Sequence, residues 1–498
     1  MWRILPEDLG LNSQNVIPSA VEGPKLKHQI QMKNAIPLLL TFLCLSCGEQ
    51  KQTEKMTNEE ATSKIKLMTL DPGHFHAALV YKMMYPQVDS TIYVFAPEGP
   101  EVKDFLNKIE QYNTRPDSPT AWNIESYFGE DFSEKMIAEK PGTVMVVAGK
   151  NSKKIDYVLA AVKAGLNVYA DKPLIINPEG FEKLKEAFRV ADEKGVVIYD
   201  IMTERFESTT ALQKLFSTLP DIFGELLEGS TDEPAIVKES VHHFFKYVSG
   251  NPLVRPPWFF DVNEEGEGIV DVTTHLVDLV QWEAFPEQII DSTDIEMVKA
   301  KRWPTILTKE EFQKVTGLDS YPDYLQKDIK NDKLNVYSNG EMLYKIKDKY
   351  AKVSVIWNYQ APEGTGDTHY SIMRGTKSNL IIKQGAEENY KPVLYIESNG
   401  NESLEPVLQN ALKNAVAQKF AGTTMEKVSD TQFKINIPEA FKVGHEAHFG
   451  QVTENFLKYL EAGKLPKWEV PNMIAKYYTT IEGYKMALTT NTPSRSPK

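Results

Sequence analysis

From residue 64 onward the chain alternates short apolar runs with amphipathic stretches. Residues 65–70 (Ile-Lys-Leu-Met-Thr-Leu), 91–95, 143–147, 167–170 and 196–199 are rich in Val, Ile, Leu, Met and Tyr. Continuous apolar runs of this length predict strands of a parallel sheet covered on both faces. Between them lie helical patterns: a run from His74 to about Tyr85, then 101–111, 153–163 and 178–193. Gly165 and Gly195 follow the last two, where a left-handed residue commonly ends a helix. Strands alternating with helices in this way predict a doubly wound α/β domain over residues 64–201.

After residue 202 the texture changes. Helices are expected at 208–217 and 268–284, mixed with strands at 225–229, 237–245, 335–337, 342–346, 351–358, 370–374 and 379–383. Asn339-Gly340 between two strand-like runs predicts a hairpin. Residues 291–333 are charged and poorly periodic, which reads as an insertion or long loop. Two closing helices are expected at 446–463 and 470–488. Residues 202–490 therefore read as an α+β domain on an open, mostly antiparallel sheet, with no internal repeat.

The N-terminal end differs again. Residues 32–47 start with a charge, continue as a short apolar run and finish on Ser46-Cys47, the anatomy of a signal peptide. The run is too short for a permanent span. A cysteine directly after the small residue resembles a bacterial lipoprotein signal, with Cys47 lipidated and Cys44 where leucine is usual. The polar stretch 48–63 then reads as a tether, and residues 1–31 as an over-extended start ahead of Met32. Localisation is expected to be exported: a periplasmic or outer-membrane lipoprotein of a Gram-negative-type bacterium, touching membrane only through its lipid.

Composition adds exclusions. The formal net charge is -13, with no later basic cluster, so neither nucleic acid nor an anionic membrane surface is an expected partner. The only cysteines are Cys44 and Cys47, which removes disulfides and thiolate metal sites from the rest of the chain. His445 and His448 share a helix face but lack a third ligand and the His-Glu-x-x-His pattern, so no metal site is expected.

Two polar clusters carry candidate chemistry. Asn167-Val-Tyr-Ala-Asp-Lys-Pro173 is an apolar strand ending on an acid, a lysine and a proline. Lys172 thus sits beyond a strand's carboxyl end, where open α/β sheets bind ligands. On the helix at 268–284, Asp271, His275 and Asp278 fall at i, i+4 and i+7 and share one face, while Val272, Leu276 and Leu279 anchor another. Histidine titrates near neutrality and suits acid/base work. His242 and His243, adjacent on a strand, are expected to point to opposite faces. The first strand–turn–helix keeps one glycine, Gly73, of the Gly-x-Gly-x-x-Gly dinucleotide fingerprint; Asp71 and His76 hold the outer places. Glu98, after the second strand, is a candidate for the ribose. Asn151 reads equally as a ligand contact or a helix N-cap.

These residues resemble the Gfo/Idh/MocA oxidoreductases, named for glucose–fructose oxidoreductase, inositol dehydrogenase and a rhizopine-catabolism protein. The resemblance rests on Asp171-Lys172-Pro173 (the family's Glu-Lys-Pro) and on Gly268-Ile-Val-Asp271-Val-Thr-Thr-His275-Leu-Val-Asp278. Arg255-Pro-Pro-Trp258 and Met373-Arg-Gly-Thr-Lys377 are also family-like, and Thr273 departs from a family glycine. The resemblance spans residues 64–490 and implies a Rossmann-type domain binding NAD or NADP through Gly73, His74, Phe75, Glu98, Asn151, Lys172 and Pro173. It implies catalysis by Lys172, Asp271 and His275 on a sugar, polyol or sugar derivative, with His242 or His243, Lys246, Arg255 and Trp258 contacting substrate. A homo-oligomer is a further implication. Two alternatives stay open: an NAD-dependent glycosidase working by transient oxidation and elimination, and a non-catalytic carbohydrate-binding lipoprotein on the same scaffold.

Overall fold

The computed structural model describes residues 64–248, 251–400 and 403–490; the expected signal peptide, Cys47, the tether and residues 1–31 lie outside the described residues. The first sheet contains β1 (Ile65–Leu70), β2 (Val88–Ala96), β3 (Asn123–Phe128), β4 (Val144–Val147), β5 (Asn167–Asp171) and β6 (Ile198–Ile201). Their order is β3-β2-β1-β4-β5-β6, with every pairing parallel. The order reverses at β1, so a crevice opens beyond the carboxyl ends of β1 and β4. Connecting helices are α1 (His76–Leu79), α2 (Pro100–Thr114), α3 (Phe132–Glu139), α4 (Lys154–Lys163) and α5 (Glu179–Lys194). Gly195 caps α5 at φ +65°, as its position after the helical pattern implies.

Helix α1 ends well before Tyr85. Beyond Leu79 the chain tightens into turns, because Trp122 Nε1 donates to the Tyr81 carbonyl at 2.7 Å and the Tyr81 hydroxyl reaches Thr69 Oγ1 at 2.5 Å. These bonds give the segment partners other than its own helix.

The second sheet draws on β7 (Ile236–Phe245), β10 (Ile295–Leu307), β11 (Ile329–Lys330), β12 (Lys333–Ile346), β13 (Lys349–Gln360), β14 (Thr368–Arg374), β15 (Ser378–Lys383), β16 (Val393–Ser398), β17 (Thr424–Lys427) and β18 (Gln432–Asn436). Its order is β10-β12-β13-β7-β14-β15-β16-β18-β17, with β11 on β12; β13–β7 is parallel and the other pairs are antiparallel. A small ribbon pairs β8 (Tyr247–Val248) with β9 (Asn251–Pro252). The helices here are α6 (Ser208–Ser217), α7 (Thr273–Ala284), α8 (Lys309–Thr316), α9 (Glu405–Ala411), α10 (His445–Ala462) and α11 (Glu469–Thr490).

Three expectations are corrected. Residues 291–333 are no loop: they form the edge strand β10, helix α8 and the short β11. Residues 225–229 make only isolated bridges, Leu226 to Gly375 and Gly229 to Pro234. Asn339-Gly340 is not a hairpin turn but lies inside the unbroken strand β12. The Asn339 amide donates to the Trp303 carbonyl (3.0 Å) and Thr305 Oγ1 (2.9 Å) and accepts from Trp357 N (2.7 Å). A Cβ on Gly340 would stand 2.6 Å from Ile269 Cβ, so glycine lets α7's approach cross the strand.

The last two helices tie the sheets together. Helix α10 packs on the first sheet, where Phe456 stacks on Tyr169 at 4.4 Å and the Tyr169 hydroxyl meets Thr453 Oγ1 at 3.0 Å. Helix α11 runs beside β10 and α7, and bare Gly483 leaves room for Met342. Among the described residues no helix is long and apolar enough to cross a membrane.

Candidate active site

Strand β5 ends on buried Asp171 and delivers Lys172 to the crevice, through a cis Lys172–Pro173 peptide bond. The segment beyond is pinned: Leu174 N donates to the Tyr477 hydroxyl (3.1 Å), which donates to Asp200 Oδ2 (2.8 Å). Opposite stands Asp271, in the turns that lead into α7. Gly268 makes that lead-in possible, because a Cβ there would lie 1.7 Å from the Ser338 carbonyl oxygen. Thr273, the departure from the family glycine, satisfies its hydroxyl on the Gly268 carbonyl at 2.8 Å.

The lysine and the acid meet. Lys172 Nζ donates to Asp271 Oδ1 at 2.5 Å, with side chains 11% and 6% exposed. Burial opposes the lysine's charge, but Asp271, Asp171 and Glu265 outweigh it and raise the Lys172 pKa above its ordinary value. One turn on, His275 is held well below the usual histidine range by burial and then by the Lys172 charge. Its Nδ1 is buried with no hydrogen-bond partner among the described residues. A held cation therefore stands beside a neutral imidazole, with the carboxylate between the lysine and the helix.

Asp278 does not join this group. Arg205 grips it with two bonds of 2.7 Å, and Lys476 adds a third at 3.0 Å. The shared face expected for Asp271, His275 and Asp278 is broken because Asp271 precedes the helix proper, which starts at Thr273.

At the β1–α1 turn, Asp71 adopts φ +46°, the left-handed conformation a fingerprint glycine would take and one that Asp tolerates. A Cβ on Gly73 would lie 3.4 Å from Gly149 Cα and 3.7 Å from Trp258 Cζ2, so the two loops and the indole close together around a bare backbone. Trp258 is 5% exposed, and its Nε1 is buried without a partner among the described residues. Phe75 is partly buried beside this turn, and Glu98 is exposed after β2. Asn151 is no side-chain N-cap: α4 starts at Lys154 with no side-chain cap. Its amide instead accepts from the buried Lys154 Nζ (2.5 Å) and donates to the Glu265 carbonyl (2.7 Å). Burial, then Asp271, pushes Glu265 well above the usual carboxylate range.

The β7 end holds the other sequence candidates. His242 and His243 do reach a common partner, contrary to the alternation argument. Asp367 takes His242 Nδ1 at 3.0 Å, His243 N at 3.1 Å and His243 Nδ1 at 3.4 Å, and also pairs with Lys246. Asp367 immediately precedes β14, whose first pair is Thr368 with Val241, so its carboxylate sits at the strand edge within reach of both faces. Arg255 lies beneath, donating to the His243 and Phe244 carbonyls at 3.0 Å each, with its guanidinium over the rings of Phe259 and Trp357. Burial lowers its pKa to about 10.

A further group escaped the sequence reading. His76 Nδ1 lies 2.9 Å from Asp171 Oδ2, His74 Nδ1 lies 3.8 Å from the same oxygen, and His445 Nε2 approaches His76 Nε2 at 3.4 Å. Three segments far apart in sequence supply these atoms with the Lys172 cluster next door, and nothing in local spacing announces their meeting. Glu265 and Asp367 were missed for the same reason.

The similarities to known proteins agree with this architecture. Residues 212–488 match a family described as "Putative oxidoreductase C terminal domain". A crystal structure of a "putative oxidoreductase" from Parabacteroides merdae is 55% identical, covering 86% of this chain and 98% of its own, with a TM-score of 0.84. Two remoter structures share the fold: a "putative oxidoreductase" from Thermotoga maritima (13% identity, 86% and 99% covered, TM-score 0.55) and a levoglucosan dehydrogenase in complex with NADH and levoglucosan (13%, 86% and 98%, 0.53). No curated protein matches. With its lysine and acid joined across two sheets of this topology, the chain belongs to the Gfo/Idh/MocA oxidoreductase family.

Proposed function

We propose that the protein is an NAD(P)-dependent oxidoreductase acting on a carbinol group of a sugar, polyol or sugar derivative. The observation that carries this reading is the Lys172–Asp271 pair beside neutral His275, whose Nδ1 has no partner among the described residues, at the carboxyl ends of β4 and β5. A dinucleotide fits the residues present. The crevice lies at the sheet's reversal, Gly73 leaves the turn bare, Asp71 keeps its left-handed geometry, and Trp258 Nε1 is a buried donor lacking an acceptor among the described residues. The backbone at Gly73, Trp258 and Lys172 would hold it, and the nicotinamide would supply hydride chemistry on the carbinol carbon.

The side chains account for the proton. Lys172, kept cationic and aimed by Asp271, stabilises negative charge developing on the substrate oxygen. Neutral His275 accepts the hydroxyl proton in oxidation and, once protonated, returns it in reduction. His243 and Lys246, gathered by Asp367, offer polar contacts for further hydroxyl groups. The levoglucosan dehydrogenase named above, crystallised with a sugar derivative and NADH, supports the substrate class.

The test begins with mass spectrometry of the denatured protein for a co-purifying nicotinamide dinucleotide, followed by NAD(P)H appearance with a panel of sugars and polyols. Bound dinucleotide and substrate-dependent NAD(P)H are expected. Sugar release without NAD(P)H would replace the reading with a glycosidase, and absence of any dinucleotide binding would leave only a carbohydrate-binding scaffold. We also propose export with a lipid on Cys47; Cys47→Ser should abolish incorporation of labelled fatty acid, and unchanged labelling would refute the anchor.

A further inference from the structure

The geometry points to a divalent transition-metal site built by His74, His76 and Asp171 at the carboxyl ends of β1 and β5. One ligand atom from each residue lies within 4.8 Å of the others, and among the described residues no other set of three His, Cys, Asp or Glu groups does so. Asp171 Oδ2 is the apex, 2.9 Å from His76 Nδ1 and 3.8 Å from His74 Nδ1. Metal–ligand distances of about 2.0–2.2 Å put ligand atoms on a shared ion roughly 3–3.6 Å apart. The two observed separations bracket that range, so a small closing movement of His74 completes the set.

The surroundings support ligation. Asp171 is 5% exposed, and the two imidazoles show little surface. His74 Nδ1 accepts the His76 backbone N–H at 3.3 Å, a long bond that ligation would exchange for the ion as His74 turns toward Asp171. The second nitrogen of His76 has its own partner, His445 Nε2 at 3.4 Å, whose Nδ1 in turn lies 3.8 Å from Glu204 Oε1. Such an outer partner fixes a ligating imidazole's tautomer and orientation. The backbone is held too, since Lys154 Nζ donates to the Asp171 carbonyl at 2.8 Å.

Two imidazoles and one carboxylate select a borderline divalent ion such as Zn²⁺, Fe²⁺ or Co²⁺ over Mg²⁺ or Ca²⁺. Three protein ligands also leave positions open, as in catalytic rather than structural sites. Because Asp171 adjoins Lys172, an ion here stands next to the lysine cluster, suited to binding an oxygen ligand such as a hydroxyl or carboxylate. The inference does not depend on hydride transfer.

The test uses the full chain, stripped with a chelator and titrated with Co²⁺. One equivalent bound, with visible ligand-field bands, is expected. His76→Ala and Asp171→Asn should each weaken Co²⁺ binding by about 100-fold or more, and His445→Ala by about 10- to 100-fold as an outer partner. Circular dichroism of each variant separates ligand loss from unfolding, and Asp171→Asn preserves side-chain size. Co²⁺ binding equal in wild type and Asp171→Asn, or no saturable binding by folded wild type, would show a hydrogen-bonded His–Asp cluster only and overturn the site. Dinucleotide content, measured separately, keeps this outcome distinct from failure of the oxidoreductase reading.

Discussion

Lys172 Nζ and Asp271 Oδ1 lie 2.5 Å apart although 99 residues separate them in the chain. The contact joins the end of a parallel strand in one sheet to a helix lead-in that crosses the other. Lys172→Ala should lower kcat by about 100- to 10,000-fold while nicotinamide dinucleotide binding, followed by calorimetry, stays within a few-fold. Wild-type turnover in this variant would remove Lys172 from the chemistry.

The passage of that lead-in through the second sheet can be tested at glycine. Gly268→Ala places a methyl group 1.7 Å from the Ser338 carbonyl oxygen, so backbone must shift and carry Asp271 with it. Loss of about 1–3 kcal/mol in urea unfolding is expected, together with a fall in kcat. A stable, fully active variant would mean that Asp271 is positioned by something else.

Asp278 separates structure from catalysis on the same helix. Asp278→Ala leaves buried Arg205 with Glu469 alone and buried Lys476 with Asp200 alone. The expected cost is about 1–3 kcal/mol for the lost hydrogen bonds, read as a lowered thermal midpoint. Unchanged stability with lost turnover would return Asp278 to the active site.

Acid should weaken the fold from neutrality downward. Burial holds His275 well below 6.5 and His369 at about 3, whereas both titrate near 6.5 in the unfolded chain. Between these values the unfolded state binds protons that the native state refuses, so stability rises with pH and is lost as pH falls below 6.5. Denaturant midpoints should therefore drop between pH 7 and pH 5, and His369→Gln should flatten the slope if it folds normally. A midpoint constant over that window would contradict the neutral assignments.

Much of the architecture was legible because its signals are local. The strands at Ile65–Leu70 and Asn167–Asp171 are buried apolar runs, and Lys172, Asp271 and His275 sit in short motifs. What was missed lies at edges and in tertiary encounters. β3 is an exposed strand at the margin of its sheet, and β10 at its own margin carries mixed polarity, so neither displays a clean period. Asn339-Gly340 looked like a turn because propensity does not reveal that the amide bridges neighbouring strands or that glycine admits Ile269. The His76–Asp171 contact arises from 95 residues of intervening chain, beyond any spacing rule.

Helix α10 belongs by sequence to the later half yet covers the first sheet, stacking Phe456 on Tyr169 and bringing His445 to His76. A fragment ending near residue 201 would lose that cover and present a broad aromatic patch to solvent, an invitation to aggregate. The two halves are therefore poor modules for domain exchange: a nucleotide-binding half grafted from a relative would have to bring the matching C-terminal helix with it.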